Sequence, residues 1–207
     1  SSVALDKTWW GTQRGVGFSV QNGDVMGEFI TSDVRWADAV DKAATEGFTV
    51  LRTWGLDTEH KRMFQAIKTK NATLDAASKL RVQVGIYFLP TNAGWKFEVD
   101  RVMRLLAEWE NEIGISDILL SVSVGNEGEL AGATNVFILE TIQFAKLYGV
   151  PCTYNFSTSV LSQNMDATEH AAMQQIVQEV SYFSIHPYGN WFSSTAQSTL
   201  SVADQIT

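Results

Sequence analysis

The sequence holds a single cysteine in 207 residues. No disulfide can therefore form within the chain, and cysteine usage says little about its compartment. Cys152 sits in the stretch Pro151-Cys-Thr-Tyr-Asn155, where a small buried apolar residue is expected. A reactive thiolate needs an electropositive neighbourhood instead. No apolar run approaches the ~20 residues that a membrane span requires. The formal net charge is −8, with no long block of like charge, which argues against nucleic acid or an anionic membrane as a main partner. Ser1-Ser2-Val3 has neither the basic start nor the apolar middle of a signal peptide, so the expectation is that the original N-terminus has been removed.

Several motifs are also missing. The three histidines, His60, His170 and His186, form no H-E-x-x-H pattern, so no metal site is expected. There is no G-x-G-x-x-G or Walker-type loop to bind a nucleotide, and no G-x-S-x-G elbow for a serine hydrolase. No cofactor is expected.

What the chain does have is a large apolar and aromatic content. Its hydrophobic share is 45% and its aromatic share 11%, with seven tryptophans. That suffices for a sizeable core and one domain over 14–207, preceded by an aromatic segment over 1–13 that holds Trp9-Trp10. An acidic, aromatic-rich protein suits neutral ligands such as carbohydrates, a profile that many ordinary enzymes share.

Short apolar runs alternate with helical stretches. Strands are predicted at 14–20, 49–54, 81–88, 119–126, 150–156 and 180–187. Helices are predicted at 32–46, 59–70, 97–113, 135–148, 167–179 and 195–206. The first helix is set by Val34, Ala37, Val40, Ala43 and Ala44 at helical spacing, with Thr31 or Ser32 as its cap and Gly47 as its stop. Strict β-then-α alternation without linkers predicts a parallel sheet. Two α/β architectures fit: a doubly wound open sheet, or a (β/α)8 TIM barrel of which six units are present, about two short of closure. Polar and aromatic residues gather at successive strand ends: Trp54, Tyr87, Asn126, Glu127, Asn155, His186 and Tyr188. A face served by nearly every strand belongs to a barrel; an open sheet keeps its ligand at one switch point.

The most informative segment is Leu119-Leu-Ser-Val-Ser-Val-Gly-Asn-Glu127. A valine-rich run, apolar enough for a strand covered on both faces, ends in a glycine, an amide and a carboxylic acid. In α/β barrels the chemistry sits at this carboxyl end. Cleaving a glycosidic bond needs a protonated carboxyl beside the leaving oxygen, and a retaining enzyme adds a carboxylate nucleophile about 5–5.5 Å away. Glu127 is the candidate acid, in an apolar barrel mouth expected to raise its pKa. Asn126 is placed to bind a sugar hydroxyl, with Trp54, Tyr87, Asn155, His186 and Tyr188 as further substrate-binding candidates. Of the other large rings, Trp95, Trp191 and Phe192 could stack on sugars, Trp109 reads as core, and Trp9-Trp10 as a plug of the barrel floor. Asn71-Ala-Thr73 and Asn155-Phe-Ser157 match the glycosylation acceptor pattern.

In this order along the chain, the stretches Arg14-Gly-Val-Gly-Phe18, Val50-Leu-Arg-Thr-Trp-Gly55, Val82-Gln-Val-Gly-Ile86, Val124-Gly-Asn-Glu127 and Ile185-His-Pro-Tyr188 resemble strands one, two, three, four and six of glycoside hydrolase family 17. That is the β-1,3-glucanase and glucanosyltransferase family of barrel enzymes. The resemblance covers roughly residues 14 to 192, and V-G-N-E is its most specific element. It implies a retaining hydrolase or transglycosylase on β-1,3-glucan, extracellular or at the cell surface, with Glu127 as acid/base and Asn126 as its sugar-binding neighbour.

Two positions depart from the family. Nothing corresponds to the E-T-G-W-P-like stretch that carries the nucleophile on strand seven, and Trp54 stands where the family has tyrosine in R-x-Y. Either the nucleophile comes from sequence outside these residues, or the chain is a catalytically inactive, glucan-binding or structural glycoprotein. In both cases another chain or a further segment is expected against strands one and six, because open strand edges are normally covered.

Overall fold

The computed structural model describes Gln13 and residues 15–18, 32–88, 93–157 and 165–186. Strands and helices alternate throughout. In order they are β1 (Gly15–Phe18), α1 (Asp33–Thr45), β2 (Val50–Thr53), α2 (His60–Asn71), β3 (Arg81–Ile86), α3 (Trp95–Ile113), β4 (Leu119–Asn126), a 3-10 turn (Gly128–Ala131), α4 (Asn135–Lys146), β5 (Cys152–Ser157), α5 (Ala167–Glu179) and β6 (Ser184–His186). The six strands form one sheet in sequential order, and every neighbouring pair is parallel. Parallel neighbours cannot be joined by a tight hairpin, so each connection crosses over, and every crossover contains a helix.

Period-two alternation sorts the strand residues onto two faces. Val82, Val84 and Ile86 of β3 and Val122 and Val124 of β4 pack with Trp36, Phe64, Ile67, Val102 and Trp109 of the helices. Tyr154 and Phe156 of β5 pack with Ile138 and Ile142 of α4 and Ile176 of α5. The intervening residues therefore face the concave side. They are polar and buried: Gln83, Ser121, Ser123, Thr153 and Asn155. Barrel interiors are usually filled by branched apolar side chains; this one is lined by amides and hydroxyls. Tyr182, just before β6, plugs it. Its hydroxyl accepts a hydrogen bond from Gln83 Nε2 at 2.5 Å and lies 2.6 Å from Ser121 Oγ, and burial pushes the phenol up to about 12.

The sheet is curled. Neighbouring strands lie about 4.8 Å apart, so in a flat sheet β2 and β6 would be separated by roughly 19 Å. Yet Arg52 of β2 hydrogen-bonds His186 of β6. Only curvature brings those strands within reach, and the result is a half-barrel with helices on its convex face. Among the described residues β1 and β6 do not pair with each other.

Three expectations are corrected in detail. Val34 does not face the core: it is 68% exposed, and Trp36, fully buried two residues on, is the residue that anchors α1. Residues 180–183 do not extend β6, which spans Ser184–His186; the preceding turn directs Tyr182 into the interior. Trp95 opens α3 and is 7% exposed, with Phe88, Phe137 and Phe144 around it, so it is a core ring. Trp109 is core as expected, and Gly47 stops α1 with φ 77°. Cys152 is buried, and desolvation pushes its thiol up to about 12. Trp9, Trp10, Tyr188, Trp191, Phe192 and the helix at 195–206 lie outside the described residues. No described helix is long and apolar enough to cross a membrane.

Candidate active site

The exit of β4 is shaped by one glycine. Gly125 has φ 105°, and a Cβ built on it would lie 2.5 Å from Cε2 of Tyr154. The aromatic ring takes the space that any other residue's side chain would need. With that approach made, β4 runs on to Asn126, and Glu127 follows in a left-handed conformation, φ 49° and ψ 32°. It is the one described non-glycine residue with positive φ, a region L-residues avoid unless their surroundings impose it. Its amide donates to the Asn155 carbonyl at 2.7 Å, which carries the β4–β5 pairing one residue past the strand.

This backbone turns the Glu127 carboxyl towards β6. Oε1 lies 2.7 Å from His186 Nδ1, with the two side chains 13% and 17% exposed respectively. On its other side the imidazole meets Arg52: Nη1 of the guanidinium bonds His186 Nε2. Nη2 donates to Asn126 Oδ1 at 2.5 Å. The guanidinium lies over the Trp54 ring, 4.0 Å from its centroid, and Trp54 sits edge-on to His186 at 5.8 Å. Residues from β2, β4 and β6 thus meet in one contiguous polar network at the carboxyl ends of the strands.

The protonation of His186 follows from its partners. A guanidinium only donates, so Nε2 accepts and the ring proton sits on Nδ1, aimed at Glu127. Burial and the Arg52 charge together hold the His186 pKa below its ordinary value, although Glu127 pulls the other way. At neutral pH the ring is uncharged. It steadies the Glu127 carboxyl group by a hydrogen bond rather than by an ion pair.

The site differs from the apolar mouth expected from sequence: the Glu127 carboxyl meets an imidazole, which a guanidinium and an amide continue into a polar network. Arg52 stood in the sequence only within the R-x-Y-like stretch of strand two, with no role in the site. The signal was there, since an arginine in the otherwise apolar Val50-Leu-Arg-Thr53 must find partners when half-buried. Of the other predicted binding residues, Trp54 and Tyr87 are exposed at 46% and 59%. Asn155 is 1% exposed, and neither atom of its side-chain amide has a hydrogen-bond partner. By strand alternation that amide faces the concave side, one strand over from Asn126, with which it is in register.

A second acidic residue, missed in the sequence, lies close by. Glu129 sits in the 3-10 turn, and one of its carboxyl oxygens accepts from the Ser157 amide. Burial raises its pKa, and the neighbouring Glu127 charge adds to the rise against the Ser157 hydrogen bonds.

No protein-family model matches the chain, and neither does any curated protein sequence. Among solved structures the fold is similar to that of an endo-laminarinase from Formosa Hel1_33_131, with a TM-score of 0.66 and 17% identity over 85% of this chain. The match covers 50% of the laminarinase chain, so this chain spans about half the length of that protein. At that identity the likeness speaks for the fold alone.

Proposed function

We propose that this chain forms six β/α units of a (β/α)8 barrel that acts on β-1,3-glucan as a retaining hydrolase or transglycosylase of the family 17 type, with Glu127 as acid/base. The observation that carries the reading is the carboxyl group of Glu127, projected from the end of β4 into a network with His186, Arg52 and Asn126. One oxygen is held by His186, which leaves the other to give its proton to the leaving glycosidic oxygen. Asn126, fixed by Arg52, offers its Nδ2 to a sugar hydroxyl, and Asn155 brings a second amide from the adjacent strand. Trp54 presents an exposed ring, stiffened by the guanidinium behind it, on which a glucose unit stacks. The laminarinase likeness supports the fold on which this reading is built.

Retention needs a second carboxyl group. Glu129 is turned to Ser157, so in this reading the nucleophile comes from outside the described residues. The rival reading is a glucan-binding protein without turnover, favoured by that single carboxyl at the described strand ends. Reducing-end release from laminarin by the full-length protein separates the two. Glu127→Gln should lower kcat by about 10²–10⁴-fold, the usual worth of a general acid, with the fold intact. Unchanged turnover in that variant would remove Glu127 from the chemistry. A parent protein that retains laminarin on affinity gels yet never cleaves it would leave only the binding role.

A further inference from the structure

We propose that Tyr154 and Glu129 are positioning residues for Glu127, forming with the β5 backbone a clamp that keeps the acid in its left-handed conformation; this rests on the acid/base reading above. Three consecutive residues of the β4 exit are tied to β5. The Glu127 amide donates to Asn155 O at 2.7 Å, and the Gly128 amide donates to the Tyr154 hydroxyl at 2.7 Å. The Glu129 carboxyl accepts from the Ser157 amide. The turn closes on itself through Leu130 N to Glu127 O at 3.0 Å and Ala133 N to Gly128 O at 2.9 Å.

Left-handed backbone is disfavoured at glutamate. Freed from its ties, the turn relaxes towards right-handed geometry and swings the carboxyl off His186. Tyr154 cannot follow it. Its ring is 3% exposed and packed between the Gly125 backbone and Phe156, 4.7 Å between ring centroids. Burial, with Glu129 and Glu127 nearby, holds its phenol protonated. It is a neutral acceptor on a rigid mount.

Glu129 has the same character. Its second oxygen is buried without a partner, and burial favours the neutral acid. An amide of the same shape should therefore replace it without loss, because the oxygen that meets Ser157 is retained.

The test uses the full-length protein and the variants Tyr154→Phe, Glu129→Ala and Glu129→Gln, with two readouts. The first is laminarin turnover. Tyr154→Phe and Glu129→Ala should each lower kcat by about 10–10²-fold with KM within twofold, since substrate contacts stay in place. Glu129→Gln should keep the parental rate. The second needs no activity: NMR of the His186 Nδ1–H, whose downfield proton shift reports that Glu127 still accepts from the ring, while Arg52 on Nε2 holds the tautomer itself unchanged. That downfield signal should be lost in Tyr154→Phe and Glu129→Ala, and kept in Glu129→Gln. Parental His186 signals in both Tyr154→Phe and Glu129→Ala would overturn the clamp, whatever the rate. If Tyr154→Phe does not fold, the alanine and glutamine variants at Glu129 decide by themselves. If the glucanase reading fails, with Glu127→Gln as active as the parent, the NMR arm still decides whether the clamp exists.

Discussion

Replacing Gly125 by alanine tests the physical basis of the V-G-N-E exit. The new methyl carbon would stand 2.5 Å from Cε2 and 3.2 Å from Cδ2 of Tyr154, where carbon atoms rest at about 3.5–4.0 Å. An overlap of about 1 Å must be relieved. The ring is hemmed in by Phe156, and its hydroxyl is fixed by the Gly128 amide, so the backbone has to give. Overpacking of this kind costs about 1–3 kcal/mol. The positive φ of 105° adds strain of about 1–3 kcal/mol for any residue with a Cβ. A combined loss of about 4 kcal/mol, at ~2–4 °C per kcal/mol in a domain of this size, lowers Tm by about 8–16 °C. The two contributions separate in a double-mutant cycle with Tyr154→Leu. Removing the ring relieves the clash but leaves the backbone strain, so the double variant should be about 1–3 kcal/mol more stable than the sum of the single changes predicts. Urea unfolding followed by tryptophan fluorescence measures each corner. A Tm within 2 °C of the parent for Gly125→Ala, or strict additivity in the cycle, would refute the close approach of ring and glycine.

The remaining predictions concern the interior and the acid limb of stability. Tyr182→Phe removes the hydroxyl shared by Gln83 and Ser121 and leaves both without that partner in a closed space, at a cost of about 2 kcal/mol; a urea midpoint equal to the parent's would contradict the plugged polar interior. His60 is 2% exposed, and desolvation lowers its pKa despite the help of Asp57. Its folded pKa lies below the unfolded value of about 6.5, so its contribution to stability is complete above the unfolded pKa and is lost as the pH falls from there through the folded pKa. His186 is shifted in the same direction, so His60→Gln should flatten only part of the Tm decline between pH 7.5 and 5, and an unaltered decline would count against the burial argument. The Asn71 side chain accepts from Leu80 N at 2.8 Å and donates to Leu80 O at 2.9 Å, which makes it a buried staple between α2 and β3 rather than an open glycan acceptor. Asn71→Ala should cost about 1–3 kcal/mol, and intact-mass analysis of protein from a secretory host should find Asn71 unmodified in the folded fraction.

How much of this was legible in the sequence depends on the range of each interaction. The β/α order was plain because it is written in local periodicity: valine runs for strands covered by helices, and three-to-four spacing for the helices themselves. The same rule misjudged Val34. Periodicity fixes a helix's apolar stripe only to within a residue or two, and the bulk of Trp36 settled which side of α1 faces the sheet. Strand β6 was drawn too long for a related reason. The sequence from 180 to 187 is apolar and aromatic enough for a strand, yet Tyr182 finds better partners as a plug, where two polar groups from β3 and β4 await a hydroxyl. Nothing within eight residues of Tyr182 announces those partners.

The site divides along the same line. Glu127 and Asn126 stood out because a carboxylate and an amide at the end of an apolar run have few structural uses. Arg52, Tyr154 and Glu129 did not, because their roles exist only once the sheet has curled. Arg52 becomes a bridge when β6 comes within reach of β2, and Tyr154 becomes a support when β5 packs against the glycine of β4. That dependence orders the argument about function as well. The curl is what joins the strand ends into one network, and that network is what makes Glu127 more than a turn residue. His186→Ala, which removes the bond to Arg52 and the bond to Glu127 in one change, should break the link between β2 and β6 and release the carboxyl together. Its laminarin turnover should therefore fall along with that of the Glu127 variant, by more than the loss of one sugar contact would explain.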